Sequence, residues 1–178
     1  MNCSPSDLDP RHLAPAPLVP PSPLPYVSRR ALRRVKDRVA IPRLCHNCGG
    51  LVMLVGHETV YQGRTFGEWP FLYYCSDCGS YVGLHPGTDL PLGTLADEDT
   101  RQRRTYAKRL FTSCVYHFFR RHRQNARSCA YDWLAARMGI PRRECHFAWF
   151  DIDRCDIAAE ICGDALADNC AHGWKSPQ

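Results

Sequence analysis

The chain has 178 residues, 44% of them hydrophobic and 23% charged, a composition that fits a soluble globular protein with one ordinary domain or two small ones. No apolar run approaches the roughly 18–20 residues of a membrane helix, so no membrane partner is expected. A formal charge of +5 hides alternating basic and acidic blocks, a segregation that bears on the choice of partners.

Residues 1–43 read as a Pro/Arg-rich N-terminal tail. Eight prolines between Pro5 and Pro25 exclude helix and sheet interior and favour solvated polyproline II, which predicts a disordered lead-in. Asp7 and Asp9 stand where an export signal would carry positive charge, and prolines interrupt every apolar stretch before Tyr26. The PxxP spacing within 17–23 also fits a docking peptide. Seven Arg/Lys crowd residues 28–43 against Asp37 alone; Arg29 to Arg38 predicts a short basic helix ended by Pro42.

Residues 44–93 carry two Cys-x-x-Cys-Gly elements, Cys45 to Gly49 and Cys75 to Gly79. Each is a tight turn that aims two thiolates at one point, and two such turns supply the four sulfurs of a tetrahedral zinc site. Glycine after each pair permits the left-handed backbone that turns amides toward sulfur. Short β-branched and aromatic runs surround them: Leu51–Val55, Glu58–Gln62, Phe71–Tyr74 and Ser80–Leu84 all read as strands. Pro86 and Pro91 read as an exit linker. The expectation is a small three-stranded zinc ribbon built on Cys45, Cys48, Cys75 and Cys78, holding one structural Zn2+. Paired knuckles alone also admit a rubredoxin-type iron. A thioredoxin-like pair would instead open a helix, and four thiolates leave no open position for catalysis. His46, His57 and His85 read as surface residues.

Eleven cysteines is an odd number. With no export signal and four of them in metal-type pairs, a reducing cytoplasm is expected, with zinc rather than disulfides as the staple. The other seven, Cys3 among them, read as buried small hydrophobes or free thiols.

The period changes after residue 93, and residues 94–170 read as a three-helix unit followed by a C-terminal tail, 171–178. Thr94 is the expected N-cap of a helix from about Leu95 to His122, with Ala107, Leu110, Phe111, Cys114, Val115, Phe118 and Phe119 on one face. A second helix, Ser128 to Arg137, turns Ala130, Trp133, Leu134 and Met138 inward and stops at Gly139. A third starts after Asp151 as N-cap and places Cys155, Ala158, Ala159, Cys162 and Leu166 on one side. The overall class is α+β. Cys145, His146, Cys155, Cys162 and Cys170 invite a second metal site. Seven helical residues put Cys155 and Cys162 about 10 Å apart along the axis, however, too far to share an ion. His146 beside Cys145 does not make a nucleophile and base, since adjacent residues seldom face each other and no third group orients them.

The paired knuckles, the Val60-Tyr61-x-Gly63-Arg64 loop and the run Tyr81-Val82-Gly83-x-His85 resemble a family of zinc-finger-containing domains of bacteria and their phages. Gly87-Thr88, Pro91 to Asp97, Ala130-Tyr131-x-Trp133-Leu134, Gly139-Ile140-Pro141 and Cys145-His146-x-x-x-Phe150-Asp151 extend the resemblance over roughly residues 44–163. It implies a zinc-bound ribbon fused to a helical unit, with no established activity. Arg127-Ser128-Cys129 departs from the family's usual helix start.

Residues 101–127 hold nine bases and no acid. Arg101, Arg103, Arg104, Lys108, Arg109, Arg120, Arg121 and Arg123, interleaved with Tyr106, Tyr116 and Phe119, predict a phosphate-contacting surface, so DNA or RNA is the expected partner. The basic arm at 29–38 would add a second contact. The ribbon, with one base against four acids, binds phosphate poorly and would only brace the helix. The alternative is a protein-contact module: acidic 144–168 complements basic 101–127, and Tyr61, Phe66 and Trp69 fit a contact surface. With no phosphate loop, paired-carboxylate motif or open metal position, neither an enzyme nor a small-molecule substrate is expected.

Overall fold

The computed structural model describes residues 9–172. Cys3 and the last residues of the expected tail, 173–178, lie outside the described residues, as do the side chains of Arg121 and Cys170. Among the described residues the chain is α+β, a three-stranded antiparallel sheet followed by helices, and it divides between Asp97 and Glu98 into two compact units. Among these residues no helix is long and apolar enough to cross a membrane.

In the first unit β1 (Val52–Gly56), β2 (Phe71–Cys75) and β3 (Tyr81–Gly83) pair in that order, with Val52 opposite Cys75 and Tyr74 opposite Tyr81. Leu72 and Tyr73 point to opposite faces of the central strand, yet both are buried, so β2 is covered on both sides. Tyr73, Cys75, Val82, Leu84 and Leu95 form the core with Leu24.

Two readings of this half are corrected. Glu58–Gln62 is not a strand: His57–Thr59 is a 3-10 turn, and Gln62 and Gly63 take positive φ, 53° and 81°. The ring cluster of His57, Tyr61 and Phe66 wins over β-propensity here, with the Tyr61 and Phe66 centroids 5.1 Å apart. The segment containing Pro86 and Pro91 is no exposed linker, since Thr88, Asp89, Leu90 and Pro91 are buried.

The front segment matches the extended, solvated tail that its composition predicts only in part. Residues 14–23 carry no helix or strand and are mostly exposed, but the stretches on either side are anchored to the ribbon's own loops. Arg11 bridges two buried carboxylates, Asp9 and Asp89, with bonds of 2.7–2.8 Å. Hydrogen bonding to Arg11 holds the Asp9 carboxyl below its usual range. Leu24 enters the ribbon core, and Leu32 and Val35 pack with Leu90. The Tyr26 ring lies 5.0 Å from that of Trp69 at a tilt of 56°, and Trp69 Nε1 donates to the Thr88 carbonyl. Composition counts only the apolar surface a segment can bury on itself; here the burial partners come from residues 69–95. The basic helix shrinks to one turn, α1 (Arg29–Leu32), capped by Ser28.

The second unit starts with α2 (Glu98–Cys114). Its expected start at Leu95 is lost because Ala96 exchanges two backbone hydrogen bonds with Tyr81 of β3. Nor does the helix run uniformly to His122. After Cys114 it widens into a π-helical turn, Val115–Phe119, and then tightens into a 3-10 stretch, Arg120–Asn125, broken at Arg123 where φ is 49°. The wider turn has a reason: it lets the consecutive Phe118 and Phe119 both reach the core, each 6% exposed.

α3 (Ala126–Met138) begins two residues earlier than expected and ends on Gly139 at φ 65°, with Ile140 N–H bonded to the Ala135 carbonyl. α4 (Ile152–His172) is capped by Asp151, whose Oδ1 accepts from Arg154 N–H at 2.8 Å. The core centres on Phe111, with Tyr131 at 4.6 Å and Phe147 at 5.3 Å, and includes Ala130, Trp133, Leu134, Phe150 and Ala158. Met138, Ala159 and Leu166 pack at its margin.

Candidate metal centre

The two knuckles fold alike. Cys45 N–H bonds to Gly50 O at 2.8 Å and Gly49 N–H to Cys45 O at 2.8 Å; Cys75 N–H bonds to Ser80 O and Gly79 N–H to Cys75 O, both at 2.9 Å. Gly49 and Gly79 have φ of 77° and 72°, so any larger residue would strain either turn. β1 leaves the first knuckle while β2 enters the second, and their pairing brings the turns face to face.

Cys45, Cys48, Cys75 and Cys78 place their sulfurs within 4.8 Å of one another. Cys45 to Cys78 and Cys48 to Cys75, the pairs that cross between knuckles, are both 3.5 Å apart. A zinc–sulfur tetrahedron with bonds of about 2.3 Å has edges of about 3.8 Å, so the set fits that ion with small adjustment. Cys45 and Cys75 are buried, whereas Cys48 and Cys78 reach the surface. His46, His57 and His85 do not belong to the set.

The chemistry of the donors points the same way. Hydrogen bonding from Ser80 pulls the Cys78 thiol down to about 6. Against a favourable bond from the Gly50 amide, the neighbouring Cys78 and Cys75 thiols push Cys48 up to about 12. Sulfurs this close cannot all ionise on their own, and a divalent cation is the charge that lets them. Zn2+ bound here would link the strands covalently in all but name; four thiolates leave it no open coordination position.

Residues beyond the ligands shape the site. Asn47 Nδ2 donates to Ser80 Oγ at 2.9 Å, and the Cys78 sulfur lies 3.2 Å from the same oxygen, whose hydroxyl hydrogen it accepts once it is a thiolate. Asn47 and Ser80 belong to different knuckles, so the bond braces the pair of turns. In the reverse direction Asp77 closes over Gly50, where an added Cβ would lie 2.2 Å from its carboxylate. Sequence reading stopped at the sulfurs and missed these partners. Their signal was modest: small or short polar residues placed within and immediately after each Cys-x-x-Cys-Gly.

The eight basic candidates of the second unit do not act as one set. Arg101 pairs with Glu98 at 2.6 Å, Arg103 pairs with Asp156 at 2.9 Å, and Arg104 Nε donates to the Phe150 carbonyl at 2.8 Å. Lys108, Arg109, Arg120 and Arg123 are exposed, and no acidic partner approaches them among the described residues. Arg121 lies beside Arg120 in the 3-10 stretch.

Cys145 and His146 are separated by their surroundings. Cys145 is fully buried and burial pushes its thiol up to about 11, while His146 is exposed and caps the Phe147–Trp149 turn by accepting from Ala148 N–H. Cys155 and Cys162 are buried on one continuous helix. Among the described residues, then, the four sulfurs of the ribbon are the one group built to hold a metal.

Comparison with known proteins agrees. No curated protein and no solved structure matches the chain. A family model described as a zinc-finger-containing domain does match, over residues 41–165, which takes in both knuckles and most of the helical unit. With its ligands assembled and this match covering well over half its length, the chain belongs to the family of zinc-finger-containing domains.

Proposed function

We propose that this zinc-binding protein associates with nucleic acid in a regulatory or accessory capacity, through the outer surface of α2 and the stretch that follows it. The observation that carries this reading is the exposed quartet Lys108, Arg109, Arg120 and Arg123 without acidic partners among the described residues, in a span of nine bases and no acid. Four cations held on ordered backbone, near no compensating carboxylate, favour a polyanion. Exposed Arg29, Arg30, Arg33, Arg34 and Lys36 in the first unit would give a further electrostatic contact. The zinc site, formally anionic with four thiolates around one divalent ion, is a scaffold in this reading, and the protein works in the cytoplasm without catalysing a reaction.

The test replaces the quartet with glutamine and leaves Arg103 and Arg104 intact, because those two are engaged within the fold. Zinc-loaded protein should shift a labelled oligonucleotide at low salt, with log Kd rising linearly with log salt at a slope of roughly 0.7–0.9 per phosphate contacted. The variant should lose most of the affinity and flatten the slope. Equal affinity of variant and wild type would refute the proposal.

A protein contact is the second reading. Leu44, Leu51 and Met53, on and beside edge strand β1, are 62%, 71% and 48% exposed, an apolar margin that suits a partner. Mass from size-exclusion chromatography, compared between wild type and Leu51→Lys, tests it.

A further inference from the structure

The outer face of α2 carries more than charge. Gln102, Tyr106, Arg109, Ser113, Tyr116 and Arg120 follow one another at steps of four and three, so they form one stripe along the helix. That stripe lies opposite the buried face of Ala107, Phe111 and Cys114. Its two tyrosines are 57% and 63% exposed, which is unusual for rings of this size. Each ring precedes an arginine by one helical turn, and the Arg120 guanidinium sits 5.8 Å from the centre of the Tyr116 ring. Beside Tyr106 the surface dips into a shallow depression lined also by Glu98, Arg101, Gln102, Thr105 and Arg109. The only acid in that depression, Glu98, is already neutralised by Arg101 at 2.6 Å.

We propose that this stripe is a single-strand platform: unpaired bases of DNA or RNA stack on Tyr106 and Tyr116 while the intervening phosphates meet Arg109 and Arg120. The inference rests on the nucleic-acid reading above and narrows it. Ten helical residues separate the rings by about 15 Å along the axis. In a duplex each strand stacks its bases every 3.4 Å or so, and their faces are already covered by neighbours. Two exposed rings so far apart find open base faces only on a strand that is unstacked. Stacking is tolerant of base identity, so the platform prefers single strands without reading sequence. The cations explain why the ligand is a nucleic acid and not an aromatic-rich protein: the stripe contains no acid, and a phosphate repeat supplies the matching charge.

The experiment uses the full zinc-loaded chain and fluorescence anisotropy of a labelled oligothymidylate of about 12 nucleotides, against a mixed-sequence duplex of similar length. Tyr106→Ala and Tyr116→Ala should each weaken single-strand binding by about tenfold, and the matching Phe variants should restore it. Both tyrosines are exposed, so the alanine variants should keep the wild-type circular dichroism. Duplex binding should be the weaker and should not respond to either alanine. Alanine variants that bind the oligothymidylate like wild type, while the glutamine quartet abolishes binding, would overturn the platform and leave nucleic-acid association standing. Duplex bound as tightly as the single strand would do the same. Failure of the wild-type chain to bind either form would remove both.

Discussion

Both units of this protein are rich in cysteine, and they use it in opposite ways. In the ribbon Cys45, Cys48, Cys75 and Cys78 converge within 4.8 Å. In the helical unit Cys114, Cys145, Cys155 and Cys162 are each at most 1% exposed and are distributed through one core. Backbone geometry makes the difference. Knuckle glycines at positive φ fold the chain tightly around two sulfurs, whereas a continuous helix holds Cys155 and Cys162 about 10 Å apart along its axis. Protonation follows from the surroundings: donors from Ser80 draw Cys78 down to about 6, while burial drives Cys145 and Cys155 up to about 11. Cys114 donates to the Cys162 carbonyl, 3.5 Å from its sulfur. One side chain is a thiolate ligand in the first setting and a small hydrophobe in the second.

The sharpest way to break this comparison is to remove the metal. Small β-ribbons bury too little surface to fold unaided, so chelation or Cys75→Ser should withdraw on the order of 10–16 kcal/mol and unfold the ribbon. Residue-resolved alkylation should then label Cys45, Cys48, Cys75 and Cys78, while Cys114, Cys145, Cys155 and Cys162 stay protected until denaturant is added. Labelling of the two sets together would show that they are not differently held.

The converse experiment weakens the helical core. Phe111→Ala opens a cavity among Tyr131, Phe147 and Phe150 and should cost about 3–5 kcal/mol in denaturant unfolding of that unit. Zinc stoichiometry, read by elemental analysis, should remain one per chain. A smaller change tests the support around the ligands. Ser80→Ala removes the donor to Cys78 and the acceptor of Asn47, and zinc affinity in competition with a chromogenic chelator should fall roughly 10–100-fold with the ribbon still folded.

The smallest effect is confined to alkaline pH. Burial, with help from Asp89, pushes the Tyr73 phenol up to about 12, and its hydroxyl donates to the Asp89 carbonyl at 2.8 Å. Folding thus favours the neutral phenol. The stabilisation is complete below the unfolded value near 10 and is lost as pH rises through about 12. Wild type should therefore lose stability relative to Tyr73→Phe over that window, with tyrosinate absorbance reporting the ionisation.

What could be read in the chain without a structure was whatever depends on neighbours in sequence. The knuckles are complete within five residues each, and Asp151 caps α4 through a residue three positions away. The aromatic run Phe71–Tyr74 and the glycine stop at Gly139 are equally local. Strand propensity misled at Glu58–Gln62, where a cluster of rings from His57 to Phe66 overrides it. Amphipathic period found the buried side of α2, but two adjacent phenylalanines that both need the core forced the π-helical turn.

By itself, then, the order of amino acids determined the zinc ligands, the α+β class, and the helices that carry the second core, because each rests on short-range geometry and on hydrophobic period. Tertiary structure decided the course of the front segment and the exposure of the basic residues. Arg11 meets Asp89 across 78 positions, and Arg103 meets Asp156 across 53. Partners so distant are chosen by the closed fold, where the gain from burial and pairing outweighs the entropy of bringing them together.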